Sequence, residues 1–233
     1  MRLDKFLSNA GIGTRKEVKY IIKEGRVLVE DKVVKEPSFE VNKNQKVFLD
    51  GKEIIPYHNV YIIMNKPSGF TSSKSEFERN IFELINHPYL KKLHIVGRLD
   101  KDVEGLLIIT NDGIFTHKII SPKSNIEKEY LVEIMGTLTE DMMKIAESGI
   151  KLKNGTKFAP AKIKKINEDV ISITITEGKF HEIKLITNFI GLKYKKIKRI
   201  RIGNLKLSDF NLAPGEWIEV PFEKIRLAME KWI

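Results

Sequence analysis

Asp100 stands in a charged, glycine-bounded run, Gly97-Arg98-Leu99-Asp100-Lys101-Asp102-Val103-Glu104-Gly105, that passes directly into the apolar strand Leu106 to Ile109 and closes at Asn111-Asp112-Gly113. Such a turn holds a carboxylate at the mouth of a sheet, where an anionic nucleophile or base can meet a ligand. Asp102 and Glu104 lie close by, a grouping reminiscent of the carboxylate pair of a glycosidase. That reading lacks sugar-binding aromatics and leaves a strongly basic C-terminal segment unexplained. A lone aspartate in a turn is most often just solvated. His94, His117 and His181 do not have metal-ligand spacing, and there is no cysteine, so neither a metal nor a thiolate nucleophile is expected. Gly11-Ile12-Gly13 has no strand before it and is not a phosphate-cradling loop.

The chain that carries this turn has 233 residues, 42% hydrophobic and 31% charged, which allows a large domain or a large and a small one. No apolar run reaches the roughly 18 residues of a membrane span, and the charged start Met1-Arg2-Leu3-Asp4-Lys5 lacks a signal-peptide core. A cytoplasmic protein is expected. The formal net charge is +10, and its placement says more than its size. From Lys179 to Lys206, nine Lys or Arg stand against the single acid Glu182. Ile197, Ile200, Ile202 and Leu205 interleave with them, so ordered strands with a basic face fit better than a tail, and a polyanion is the natural partner.

The elements that must position these residues fall into two expected domains, 1–59 and 60–233. In the first, Leu3, Phe6, Leu7 and Ala10 make one helical stripe, and Val18, Ile21 and Ile22 a second, opened by the capping-box pair Thr14 and Glu17. Short strands follow at Arg26 to Val29, near Lys32 to Val34, and at Gln45 to Leu49. Arg15, Lys16, Lys19 and Lys23 crowd the helix surface away from the apolar stripe, a face suited to an RNA backbone. A linker near Ile55 to Asn59 leads to the strand Val60 to Met64 and the turn Asn65-Lys66-Pro67-Ser68-Gly69. A helical stretch is expected at Ile81 to Ile85, strands at Tyr130 to Ile134, Val170 to Thr176, Lys195 to Ile202 and Glu216 to Val220, and helices at Glu140 to Glu147 and His181 to Phe189. The alternation of the basic strand changes phase between Lys198 and Arg199, which predicts a bulge or strong twist there.

Several of these landmarks carry a family resemblance. Met1-Arg2-Leu3-Asp4-Lys5-Phe6-Leu7, Thr14-Arg15-Lys16-Glu17 and Gly25-Arg26-Val27-Leu28-Val29 resemble, in order, the S4 RNA-binding domain. The Asp100 run resembles the catalytic-aspartate motif of pseudouridine synthases, and Tyr61…Asn65-Lys66-Pro67-x-Gly69 their first motif. Glu127-Lys128-Glu129-Tyr130-Leu131-Val132, Glu177-Gly178-Lys179-Phe180-His181-Glu182-Ile183-Lys184 and Ile197-Lys198-Arg199-Ile200-Arg201-Ile202-Gly203 resemble the tyrosine, basic-partner and final motifs. Together they point to the RsuA/RluB/E/F group of bacterial ribosomal RNA pseudouridine synthases, with Phe180-His181 and Lys184 most similar to its small-subunit member.

The resemblance implies an α+β fold: a small S4 domain and a mixed, largely antiparallel catalytic sheet flanked by helices. It implies a cofactor-free, metal-free monomer acting on ribosomal RNA or a pre-ribosomal particle. It assigns the chemistry to Asp100, base stacking to Tyr130, and the cation that keeps Asp100 ionised under a base to Lys184. Arg98, Lys128, Lys179, His181 and Ile197 are expected around the substrate. Arg2, Arg15, Lys16, Lys19, Lys23, Arg26, Lys196, Lys198, Arg199 and Arg201 are expected on the RNA backbone. Val103, Glu182 and Leu185 depart from the family, which usually has Thr, Gln and Arg there. A large-subunit synthase and a non-catalytic assembly factor on the same fold are the competing readings.

Overall fold

The computed structural model describes residues 1–42, 44–54, 59–74 and 77–231; of the expected linker, 55–58 lie outside these. The chain divides into two compact units, Met1–Asn59 and Val60–Ile233. In the first, α1 (Leu3–Asn9) and α2 (Arg15–Lys23) precede a four-stranded antiparallel sheet of β1 (Val27–Val29), β2 (Lys32–Val33), β3 (Val47–Leu49) and β4 (Lys52–Ile54), ordered β2-β1-β3-β4. Thr14 and Glu17 close the capping box: the Thr14 N–H donates to Glu17 Oε2 at 2.7 Å and the Glu17 N–H to Thr14 Oγ1 at 3.3 Å. Leu3, Leu7, Val18 and Ile22 are fully buried on the sheet, leaving Arg15, Lys16, Lys19 and Lys23 in solvent.

The second unit contains a long mixed sheet. Its strands are β5 (Tyr61–Lys66), β6 (His94–Val96), β7 (Glu104–Thr110), β8 (Lys128–Met135), β11 (Lys162–Lys165), β12 (Val170–Ile175), β13 (Lys193–Ile202), β14 (Leu205–Lys206) and β15 (Trp217–Glu219), with a separate hairpin of β9 (Ile150–Lys151) and β10 (Lys157–Phe158). The main order is β11-β12-β8-β13-β7-β5-β15, with β14 beside β13 and β6 beside β7. Among the described residues, only the β13–β7 pairing in this sheet is parallel. The helices are α3 (Gly113–Ile120), α4 (Glu140–Glu147), α5 (Glu182–Phe189) and α6 (Phe222–Ile225). Both faces of the central strands are covered. Ile62, Met64, Leu107 and Ile109 join the core on one side, and Tyr61, Ile63, Leu106 and Ile108 the core on the other. This double burial explains why β5 and β7 are near-continuous apolar runs.

The structure refines two local expectations and corrects a third. Ile81 to Ile85 forms a 3-10 turn over Ile81–Leu84, closed by Asn80 and Glu83. Asp112-Gly113 is no simple strand-ending turn: the Asp112 side chain accepts from the Ile114 and Phe115 N–H groups and opens α3. In β13 the register with β8 shifts at two points, between Tyr194 and Lys196 and between Arg199 and Arg201, with no shift between Lys198 and Arg199. The second shift leaves Ile200 unpaired and puts Arg199 opposite Tyr130 but Arg201 opposite Glu129, so the two arginines point to opposite faces.

Candidate active site

The turn from Gly97 to Gly105 is held from below by cations. Lys66, at the end of β5 and fully buried, donates from Nζ to the carbonyls of Pro67 (3.1 Å), Lys101 (3.2 Å) and Val103 (2.7 Å). Burial lowers its pKa to about 8, against the pull of Asp102, Glu104 and Asp100. Arg199, 1% exposed, donates from Nε to the Leu106 carbonyl (2.8 Å) and from Nη2 to the Gly97 carbonyl (3.0 Å). Its backbone lies so close to Gly105, at φ +104°, that a Cβ there would collide with the Arg199 carbonyl oxygen. Further bonds run from the Gly69 N–H to the Lys101 carbonyl (2.8 Å) and from the Leu99 N–H to Ser72 Oγ (3.2 Å). Thus the segment after β5 and the strand β13 fix the Asp100 turn at both ends and in the middle.

Across the turn, α5 presents Lys184. Its Nζ lies 3.1 Å from Asp100 Oδ2 and 2.6 Å from Asp102 Oδ1. Partial burial works against this ammonium, but its hydrogen bonds to Asp102 and Asp100 win and raise its pKa. Partial burial likewise pushes the Asp102 carboxyl up, and the Lys184 hydrogen bond, with backbone and further charge contributions, brings it below the usual carboxylate range. His181 Nε2 sits 3.6 Å from Asp100 Oδ2. His181 itself is in the left-handed region, φ +54°, and the Phe180 ring stacks on it at 3.7 Å. Asp100 opens into a cleft of about 60 Å³ lined by Arg98, Tyr130, Ile175, Lys179, Lys184 and Ile197, among others. A second cavity of about 360 Å³ shares Arg98, Tyr130, Gly178 and Lys179 with it and extends to Lys128 and Glu177.

A carboxylate gripped by an ammonium, in a cleft that a buried tyrosine and basic side chains also line, suits an anionic attack on a nucleoside. A family model described as "RNA pseudouridylate synthase" matches residues 60–188, and one described as "S4 domain" matches residues 1–47. The chain belongs to the RNA pseudouridylate synthase family. It is 37% identical over 229 residues to the ribosomal small subunit pseudouridine synthase A of Vibrio parahaemolyticus, covering 97% of this chain and 98% of that one. It is 38% identical over 230 residues to an uncharacterized RNA pseudouridine synthase of Aquifex aeolicus, covering 97% and 95%. A crystal structure described as a pseudouridylate synthase superposes with a TM-score of 0.69 at 28% identity, covering 98% of this chain and 99% of that one.

In the synthase, Asp100, Tyr130, Lys184, Arg98, Lys179, His181 and Ile197 therefore meet at one cleft. Lys128 does not reach it: the residue is 6% exposed, its Nζ donates to the Ile126 carbonyl at 3.0 Å, and burial lowers its pKa to about 8. It lines only the adjoining cavity. Two of the expected RNA contacts are corrected by the structure. Arg199 is the buried anchor of the Asp100 turn, and Arg201, 3% exposed, donates to Glu129 (2.7 Å), Glu127 (3.1 Å) and the Gly203 carbonyl (2.7 Å). Neither presents charge to solvent, because both lie in the buried C-terminal half of β13, whereas Lys193, Lys195 and Lys196 in its N-terminal half are exposed. Lys198 is half-buried beside Arg201 and Glu129, and Lys196 is exposed but paired with Glu104 at 3.0 Å. Arg2 is held on the buried Asp4, and Arg26 on Asp50. Lys66, Ser72 and Arg199 are site-building residues that side-chain chemistry alone did not reveal. The signals for them were the motif around Asn65 and the glycines bounding the turn. Among the described residues no cluster of potential metal ligands is found, and no helix is long and apolar enough to cross a membrane.

Proposed function

We propose that the protein isomerises one uridine of small-subunit ribosomal RNA to pseudouridine, acting as a monomer and without metal, with Asp100 carrying the chemistry. The observation that supports this most is the Lys184 bridge: one ammonium within 3.1 Å of Asp100 inside a cleft that Tyr130 and Ile197 line. The reaction breaks the C–N glycosidic bond, turns the base and rejoins it through carbon. An ionised carboxylate serves it by attack or by taking a proton. The uridine must leave its stack to reach Asp100, and an aromatic wall contributes about 1–3 kcal/mol toward holding a displaced base. A 37% identity over nearly the full length to a small-subunit synthase, with His181 lining the cleft and Phe180 stacked on it, favours the small-subunit target. The S4 unit, with Arg15, Lys16, Lys19 and Lys23 exposed on α2, positions the RNA through its backbone.

The test compares Asp100→Asn with Asp102→Asn in single-turnover isomerisation of one small-subunit rRNA fragment. Asp100→Asn should abolish product while the fold survives, since Lys184 keeps Asp102 as its partner. Asp102→Asn should retain measurable turnover, reduced because Lys184 is less firmly held. Turnover by the Asp100 variant, or equal loss in both, overturns the assignment. Pseudouridine mapped only to large-subunit RNA in cells overturns the target.

A further inference from the structure

Phe180 stands at the rim of the Asp100 cleft between Lys179 and His181, which both line it, yet isomerisation through Asp100, Tyr130 and Lys184 gives it no task. The residue is 79% exposed. One face of its ring lies on the His181 imidazole, with ring centroids 3.7 Å apart and planes 23° from parallel. His181 Nε2 is in turn 3.6 Å from Asp100 Oδ2, so Phe180 is one ring removed from that carboxylate. His181 caps α5 in the left-handed region, φ +54°, which is uncommon for a residue with a Cβ. A single exposed apolar side chain needs no explanation by itself. This one is stacked on a cleft-lining ring, at a backbone conformation of the kind that collects at ligand clamps.

We propose that Phe180 is a positioning residue for the RNA: the outer face of its ring stacks against a base that flanks the reacting uridine. The inference rests on the uridine reading of this site. A uridine that swings out of its stack to reach Asp100 leaves its neighbours without a stacking partner on one side, a loss that opposes its entry. Among the described rings at the cleft, Tyr130 is 6% exposed, and one face of His181 is covered by Phe180. The outer face of Phe180 is therefore the aromatic surface turned to solvent there. A base laid on it continues the stack of Phe180 and His181 and recovers part of what the departing uridine removes. Stacking accepts any base, since each has a π-face. Phe180 thus sets how firmly the strand is held, while the Asp100 cleft sets which base reacts.

Binding and single-turnover pseudouridine formation on a small-subunit rRNA transcript test this with the full-length protein and its Phe180→Ala, Phe180→Leu and Phe180→Tyr variants. The ring is mostly in water, so none of these changes disturbs the core. Alanine and leucine, which lack a π-face, should each weaken RNA affinity by about 5- to 150-fold, the scale of one base–aromatic stack. Tyrosine keeps the face and should stay within about twofold of wild type. At saturating protein the isomerisation rate should change little, because the stack is made before and during the reaction alike. The slope of log affinity against log salt should match wild type in all three, since stacking neutralises no phosphate. Wild-type affinity in the alanine or leucine variant, with the wild type active, overturns this inference alone. A lower saturating rate at unchanged affinity does so too, because Phe180 would then act only through His181. No product from the wild type overturns the uridine reading and this inference with it.

Discussion

Helix α2 and the C-terminal half of strand β13 are both basic, and they use their charge in opposite ways. On α2, Arg15, Lys16, Lys19 and Lys23 are all exposed, while Val18 and Ile22 supply the packing. On β13, Arg199 and Arg201 are among the most buried polar residues of the protein, and their guanidinium groups are spent on the Leu106, Gly97 and Gly203 carbonyls and on Glu127 and Glu129. A helix on a small sheet buries one stripe and leaves the remainder in water. Where a strand has both faces covered, as at Arg199 and Arg201, a cation must find partners inside the protein; Lys193, Lys195 and Lys196, at the other end of β13, remain exposed. Charge density along a sequence therefore marks an RNA surface only where the element has a free face.

The largest test of this contrast is removal of the buried arginines. Arg201→Met leaves Glu127 and Glu129 without their main cation and should destabilise the fold by about 3–5 kcal/mol, read by denaturant unfolding. Arg199→Met leaves the Gly97 and Leu106 carbonyls unpaired and should cost about 2–3 kcal/mol. It should also slow isomerisation, since the Asp100 turn loses its anchor. If either variant keeps wild-type stability and loses only RNA affinity, the arginine is a surface contact after all.

Lys66→Met should come next, at about 1–3 kcal/mol, because three carbonyls lose a charged donor while the cost of burying that charge is relieved. The pH dependence sharpens the point. The folded-state pKa of Lys66, about 8, lies below its unfolded value of about 10.4, so the unfolded chain binds more protons between the two. Lys66 then contributes stability that rises from about pH 8 to 10. Lys128 behaves alike, so the Lys66→Met variant should show a shallower rise, not a flat profile. An identical rise in both proteins would refute the buried-ammonium account.

The smallest effects on folding belong to α2. Lys16→Glu with Lys19→Glu should change stability by less than about 0.5 kcal/mol, yet weaken binding to rRNA. The slope of log affinity against log salt should fall by about one for each phosphate that the variant no longer neutralises. Unaltered affinity and salt slope would remove α2 from the RNA surface, leaving the contrast with β13 as one of burial alone.

Much of this protein was legible in order along the chain. The capping box at Thr14 and Glu17, the strand at Leu106 to Ile109, α4 and the charged turn around Asp100 all rest on interactions within a few residues, which a sequence displays directly. Asp112 shows the limit even of local reading, because Asp-Gly ends a strand and opens a helix with the same chemistry. The motif order was enough to bring Asp100, Tyr130 and Lys184 together in expectation. It did not show that Lys184 divides itself between Asp100 and Asp102, or that Lys66 and Arg199 hold the turn from beneath.

Those features depend on which strands become neighbours. The parallel pairing of β13 with β7 brings Arg199 to Gly97 and Gly105 from about a hundred residues away, and the unpaired Ile200 sends Arg201 to the other face. Residue type and spacing determined that the chain has a basic helix, a carboxylate turn and a basic strand. Only the tertiary structure decided which cations face water and which are locked inside, because burial is a property of the covering layers, and those layers come from distant parts of the chain.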